Sequence, residues 1–288
     1  MCELFGLSSK NEYDAAQMLT AFFSHADENP HGWGLAELGG EEVLIEKEPV
    51  SALNSERLEN LMHGGIRSKQ LLAHIRYATK GSVSPENTHP FTMRDRFGDD
   101  WVLVHNGTIF ECDALSKYSK VQQGETDSER ILYYLMDKIN AEKQKPSSDR
   151  KIQIVENVIR DIVRENKVNI MISDGDSLYV HSNFRGSMYY LKHDGVVMAA
   201  SRKLEAEAES TRPCAASSGG AGNARPCAAS SSEAGAESIT PNDWQDVPLN
   251  TLMVFREGEE VYRGTAHSEE FFFDEEKMRL LFLDYAGM

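Results

Sequence analysis

No stretch of this sequence reaches the roughly 20 consecutive apolar residues that a membrane-spanning helix needs. The N-terminus also lacks a basic segment followed by an apolar run, so no secretory signal is expected. Cysteine is scarce: Cys2, Cys112, Cys214 and Cys227 are too few and too scattered for a disulfide framework. A reducing cytoplasm is the expected compartment, and it suits a free thiol. Basic residues are outnumbered, 30 Lys and Arg against 46 Asp and Glu, for a formal net charge of −16. That balance argues against nucleic acid or an anionic membrane as a partner, because both demand clustered cations. The 288 residues themselves suffice to bury a substantial core.

The apolar pattern alternates between short strands and amphipathic helices. CELFGL reads as a strand and DAAQMLTAFFSH as a helix with apolar residues at helical spacing. GWGLAEL and EVLIEK flank a Gly-Gly turn and predict a hairpin. QLLAHIRYAT is an apolar strand carrying one arginine, and WVLVHNGTI is a buried strand expected to run into an Asn-Gly turn. TDSERILYYLMDKI opens with a Thr-x-x-Glu capping box and predicts a helix over 127–140. A second helix is predicted over 151–165, followed by the strands VNIMIS, SLYVHS, GSMYYLK and VVMAAS and a hairpin within NTLMVFREGEEVYRG. The class is α+β, with two sheets and helices packed outside. Residues 205–238 break the pattern: they are rich in Ala, Ser, Gly and Glu and contain RPCAASS twice. Such a segment cannot bury enough apolar surface to offset its ordering entropy, so a disordered insertion is expected there. Its two thiols invite a redox or metal pairing, although thiols in such a loop are more often inert.

Several residues could carry chemistry. If Met1 is removed, Cys2 holds a nucleophilic thiol and a free α-amine of ordinary pKa about 7.7–8.0, so one residue supplies nucleophile and base. The alternative is an ordinary terminal residue. Arg76 sits in an apolar run, where it either meets an internal carboxylate or grips an anionic ligand. His89, in ENTHPF, either orders a loop or touches a site. Asn106-Gly107 ends a buried strand, where a side-chain amide and an unobstructed N–H would make an oxyanion hole; the plainer reading is a hairpin turn. Asn106-Gly107-Thr108 also matches a glycosylation acceptor, discounted because nothing suggests secretion. Asp127 stands at a helix mouth, suited to capping or to holding an ammonium group.

Together, MCELFG, HGWGLAE, LLAHIRYATKGSVSPENTHPF, WVLVHNGTI and GETDSE occur in the order and rough spacing of the class II glutamine amidotransferases, which are N-terminal nucleophile hydrolases. Within that class the chain resembles the stand-alone YafJ-type members, whose relatives include γ-glutamyl hydrolases of ergothioneine synthesis and glutathione breakdown. The resemblance covers about residues 2–204 and resumes near Asn242, so a single domain over 2–288, interrupted at 205–238, is expected. It implies a four-layer αββα sandwich with two mainly antiparallel sheets, and no metal or organic cofactor. It further implies that Cys2, freed of Met1, attacks a γ-glutamyl carbonyl with its own amine as base, forming a γ-glutamyl thioester that water then cleaves. Asn106 and the Gly107 N–H would stabilise the oxyanion, Arg76 would grip the substrate carboxylate and Asp127 its ammonium. Tyr77, Thr79 and His89 would lie beside the substrate. Where relatives that make glucosamine 6-phosphate read RWATHG, this chain reads RYATKG, so no role passes to Lys80.

The leaving group stays open. About 80 residues follow Leu204, many of them in the insertion, which favours free-standing hydrolysis of glutamine or a γ-glutamyl amide or peptide. A glutaminase passing ammonia to a synthase in trans is the alternative. A catalytically retired binding or regulatory module is a reading of another class, and five intact site residues count against it. An N-terminal cysteine hydrolase of penicillin V or bile salts shares the Met-Cys start but has no need of paired Arg and Asp clamps.

Overall fold

Strands in which both sets of alternate residues are apolar must be covered on both faces, and that requirement sets the layering here. The computed structural model describes residues 1–40, 42–110, 112–206 and 238–273. In chain order the elements are β1 (Glu3–Asp14), α1 (Ala16–Phe23), β2 (Trp33–Leu38), β3 (Leu44–Glu48), α2 (Glu56–His63), β4 (Arg67–Ile75), β5 (Phe91–Arg94) and β6 (Asp100–Thr108). There follow α3 (Asp113–Ser116), α4 (Asp127–Asn140), α5 (Ser148–Ile162), β7 (Lys167–Ser173), β8 (Leu178–His181), β9 (Tyr189–His193) and β10 (Val196–Ala200). Last come β11 (Gln245–Asp246), β12 (Met253–Arg256) and β13 (Glu259–Arg263).

Two antiparallel sheets result. One runs β11-β9-β10-β1-β4-β2-β3 and the other β13-β12-β8-β7-β6-β5. Along β1, Phe5 and Leu7 pack against α1 and α2, while Leu4 points to the second sheet. Gly6 shares that inner face, and a Cβ there would come within 2.9 Å of Met171 Sδ from the opposing sheet. Along β6, Trp101 and Leu103 meet α4 and α5, while Val102 and Val104 face inward. Three apolar clusters therefore separate four layers, helix, sheet, sheet, helix, as the αββα expectation requires. No helix among the described residues is long and apolar enough to cross a membrane.

Three local expectations need correction. The second long helix is Ser148–Ile162, not 151–165: the Ser147 side chain accepts the Arg150 N–H and starts it early, and Glu165, at φ 58°, lies in the left-handed region that ends it. The helix at 127–140 lies where predicted, but its capping box does not close. The Thr126 hydroxyl makes no cap bond, and the Glu129 carboxylate accepts the amides of Gln123 (2.8 Å) and Gly124 (2.9 Å) from the turn folded over it. Asn106-Gly107 is not a turn, because β6 keeps pairing with β7 through Asn106↔Asn169, Gly107↔Val168 and Thr108↔Lys167. The expected insertion, with Cys214 and Cys227, lies almost entirely outside the described residues. Its described flanks, Ala206 and Ile239, are joined by an antiparallel bridge.

Candidate active site

The N-terminus is anchored by pairing rather than left free. Glu3 opposes Ile75 in the β1–β4 ladder, which sets Cys2 beside the chain as it leaves β4. There the Cys2 Sγ accepts the Tyr77 N–H at 3.2 Å and donates to the Tyr77 carbonyl at 3.3 Å. Burial pushes the thiol above its ordinary pKa, offset in part by the Tyr77 N–H and by the positive charges of the N-terminus, Arg76 and Lys167. The resting group is thus a thiol, and attack by it needs a base to take the proton.

Cys2 opens on a cleft of about 490 Å³, mouth included, whose walls hold Tyr77, Thr79, Asn106 and Gly107 of the expected site. Asn106 and Gly107 come from β6, in the opposite sheet to β1, so the cleft lies where ends of the two sheets meet. The Asn106 Oδ1 accepts from the Lys167 ammonium at 3.4 Å, which leaves its Nδ2 group as the available donor. At Gly107 a Cβ would overlap the Lys167 carbonyl oxygen and crowd the His105 ring, so only glycine fits.

Arg76, Asp127 and His89 do not line this cleft. Arg76, 3 % exposed, donates to the carbonyls of Ser82 (2.9 Å), Lys80 (3.0 Å) and Gly81 (3.1 Å) and so shapes the loop that follows its strand. Glu125 secures the same loop by accepting from the Ser82 N–H and hydroxyl and from the Asn87 amide. RYATKGS, ENTHPF and GETDSE, distant in sequence, are thereby knitted into one rim. HGWG joins them: His31 Nδ1 accepts the Ala78 N–H at 3.0 Å, and Arg76 N–H donates to the Gly32 carbonyl at 2.8 Å. Asp127 Oδ2 accepts the Ile109 N–H at 2.6 Å, fixing the backbone two residues beyond Gly107. His89 is buried against His74, with ring centroids 4.3 Å apart, and packs on Phe91. Its ring nitrogens have no hydrogen-bond partner among the described residues, and burial holds its pKa well below the ordinary value.

Sequence reasoning missed Lys167 and the aromatic wall of Phe110, Phe184, Phe271 and Phe273. The lysine begins an apolar strand, KVNIMIS, which is a usable signal for an unusual cation. The phenylalanines come from separate segments, and nothing local marks them as neighbours. No group of three His, Cys, Asp or Glu among the described residues is placed to hold a metal ion.

Comparison with known proteins shows the family and the fold. The family model described as glutamine amidotransferases class-II matches residues 1–205. An uncharacterised protein of Methanocaldococcus jannaschii is 28% identical over 267 residues, which span 91% of this chain and 71% of that protein. YafJ of Escherichia coli K12, whose name assigns it provisionally to the glutamine amidotransferases, is 29% identical over 180 residues, 61% of this chain and 70% of YafJ. Among solved structures, the glutamine phosphoribosylpyrophosphate amidotransferase of Bacillus subtilis superposes with a TM-score of 0.59 at 16% identity, over 91% of this chain and 48% of that one. At such identity the likeness is one of fold, and it is the same two-sheet sandwich.

Proposed function

From the premise that this chain belongs to the class II glutamine amidotransferases, we propose that it hydrolyses the γ-amide bond of glutamine or a γ-glutamyl compound through a thioester on Cys2. The observation that carries this reading is the Cys2 thiol, held by Tyr77 at the wall of a cleft that it shares with Asn106 and Gly107. Removal of Met1 would expose the α-amine of Cys2 and clear the Met1 side chain from the cleft wall. The amine then takes the thiol proton, directly or through a water, as sulfur attacks the γ-carbonyl carbon. Negative charge moves to the carbonyl oxygen, where the Asn106 Nδ2 group and the Gly107 N–H are the donors offered. The C–N bond breaks as the ammonium returns its proton to the leaving nitrogen. Water, deprotonated by the same amine, cleaves the thioester, releases glutamate and restores the thiol.

In this reading Arg76 and Asp127 meet the α-carboxylate and α-ammonium of the substrate. Each already fixes backbone beside the cleft, so substrate binding would add to an existing role. A second reading, a glutaminase feeding ammonia to a synthase, draws on the Bacillus subtilis neighbour, of which this chain covers 48%.

Intact mass before and after 6-diazo-5-oxo-L-norleucine, a glutamine-like alkylator, tests the proposal. Loss of Met1 and a single adduct on Cys2 are expected, with Cys2→Ala folded, unreactive and inactive. A free Cys2 that refuses the reagent removes the glutamyl head group from the reading and moves the broader amide-hydrolase alternative ahead. Turnover by Cys2→Ala near the wild-type rate removes Cys2 from the mechanism.

A further inference from the structure

Lys167 is 6 % exposed, yet no carboxylate lies within 4 Å of its ammonium among the described residues. Its contacts are the Asn106 Oδ1 at 3.4 Å, the Met1 Sδ at 3.3 Å and the face of the Phe184 ring, 5.0 Å from its centroid. An ammonium group in such surroundings is costly unless an anion joins it. Burial pushes its pKa down to about 8, against the opposing effect of the Cys2 thiol. The contact that Met1 provides is the one that processing would remove, leaving the cation facing a cleft with the nucleophile in its wall.

The rest of that wall is aromatic. Phe110 and Phe271 stack with centroids 6.2 Å apart and planes 7° from parallel, and Phe184 meets Phe271 edge-on at 5.9 Å. Phe273, about half exposed, extends the wall at the mouth. Ammonia, the leaving group of glutamine, would use none of this surface. A bulkier amine with an apolar body would be desolvated by it.

We propose that Lys167 and the phenylalanine wall form a leaving-group subsite for an α-amino acid, so that the substrate is a γ-glutamyl amino acid with an apolar or aromatic side chain. Lys167 receives the α-carboxylate next to the scissile nitrogen, and the phenylalanines receive the side chain. Hydrolysis then yields glutamate and the free amino acid. This inference rests on the γ-glutamyl reading above.

Processed enzyme with a free Cys2, verified by mass, should be assayed for glutamate release from γ-glutamyl-phenylalanine, γ-glutamyl-phenethylamide and glutamine. The first two differ only in the carboxylate. The wild type is expected to favour γ-glutamyl-phenylalanine over the phenethylamide in kcat/KM by about tenfold or more, as a charge-assisted contact would give. It is also expected to favour the dipeptide over glutamine. In Lys167→Met the carboxylate preference should collapse to about one. A wild-type preference near one, or a preference that survives in Lys167→Met, overturns the assignment of Lys167. Preference for glutamine over the dipeptide overturns the subsite and leaves the amidohydrolase reading standing. Failure on all three substrates, together with failure to react with 6-diazo-5-oxo-L-norleucine, overturns both.

Discussion

Lys151 and Lys167 are both buried lysines on the six-stranded half of the molecule, and the chain surrounds them in opposite ways. Lys151, on α5, places its ammonium 2.9 Å from Asp99 and 2.9 Å from Asp174, with the Trp101 ring 5.4 Å away. Burial pulls its pKa down, but the two carboxylates more than reverse that and the net shift is upward. Lys167, at the start of β7, has an amide oxygen, a thioether and an aromatic face, and its pKa falls. A buried cation that the fold has already neutralised is part of the scaffold. One that the described chain leaves without an anion is positioned for something that enters.

The contrast can be broken most forcefully at Lys151. Lys151→Met strands the almost fully buried Asp174 carboxylate, while Asp99 keeps Lys145, and is expected to cost about 3 kcal/mol in urea denaturation. A loss under about 1 kcal/mol would show that hydrogen bonds to Asp174 from Ser177, Asp176 and Tyr179 suffice without the cation.

Lys167→Met should move the other way, with a gain on the order of 2 kcal/mol at pH 7. The folded-state pKa of Lys167 lies below its unfolded value, so the wild-type penalty is complete below about pH 8. It fades as pH rises from there toward the ordinary lysine value of about 10.4, and the gain should shrink over the same window. A destabilised variant would place Lys167 with the scaffold.

The smallest effect is on selectivity. The carboxylate preference of the wild type should decline as pH rises through about 8, where Lys167 loses its proton. Cys2, the freed α-amine, His105 and Arg76 also face or influence this corner. They act on the scissile bond or on both substrates alike, which is why the ratio of kcat/KM values is the readout. A ratio constant from pH 7 to 9.5 would detach the preference from the lysine.

Much of the fold was legible in the sequence because its signals are local. Apolar spacing located α4 to the residue, and strand-like runs located β2, β4, β6 and the hairpins from β7 to β10. Two of the misreadings arose where a neighbouring segment of the folded chain took over a local signal. Glu129 left its expected cap for the amides of Gln123 and Gly124, and Asn106-Gly107, a turn by composition, was drawn into a ladder with β7. The candidate site divides likewise. Cys2, Asn106 and Gly107 were marked by residue type and motif order, and they share a cleft. Arg76 was marked as a costly cation in an apolar run, but only the folded chain shows that three loop carbonyls hold it.

The sequence by itself determined the family, the two-sheet class and the motifs around Cys2, because these rest on residue identity and short-range periodicity. Tertiary structure alone decided which cations are neutralised and which are free to meet a ligand. It also decided that Phe110, Phe184 and Phe271 form one wall beside Cys2. Hydrophobicity and charge say that a side chain must be covered or paired; which remote element does so is settled only when the chain has closed on itself.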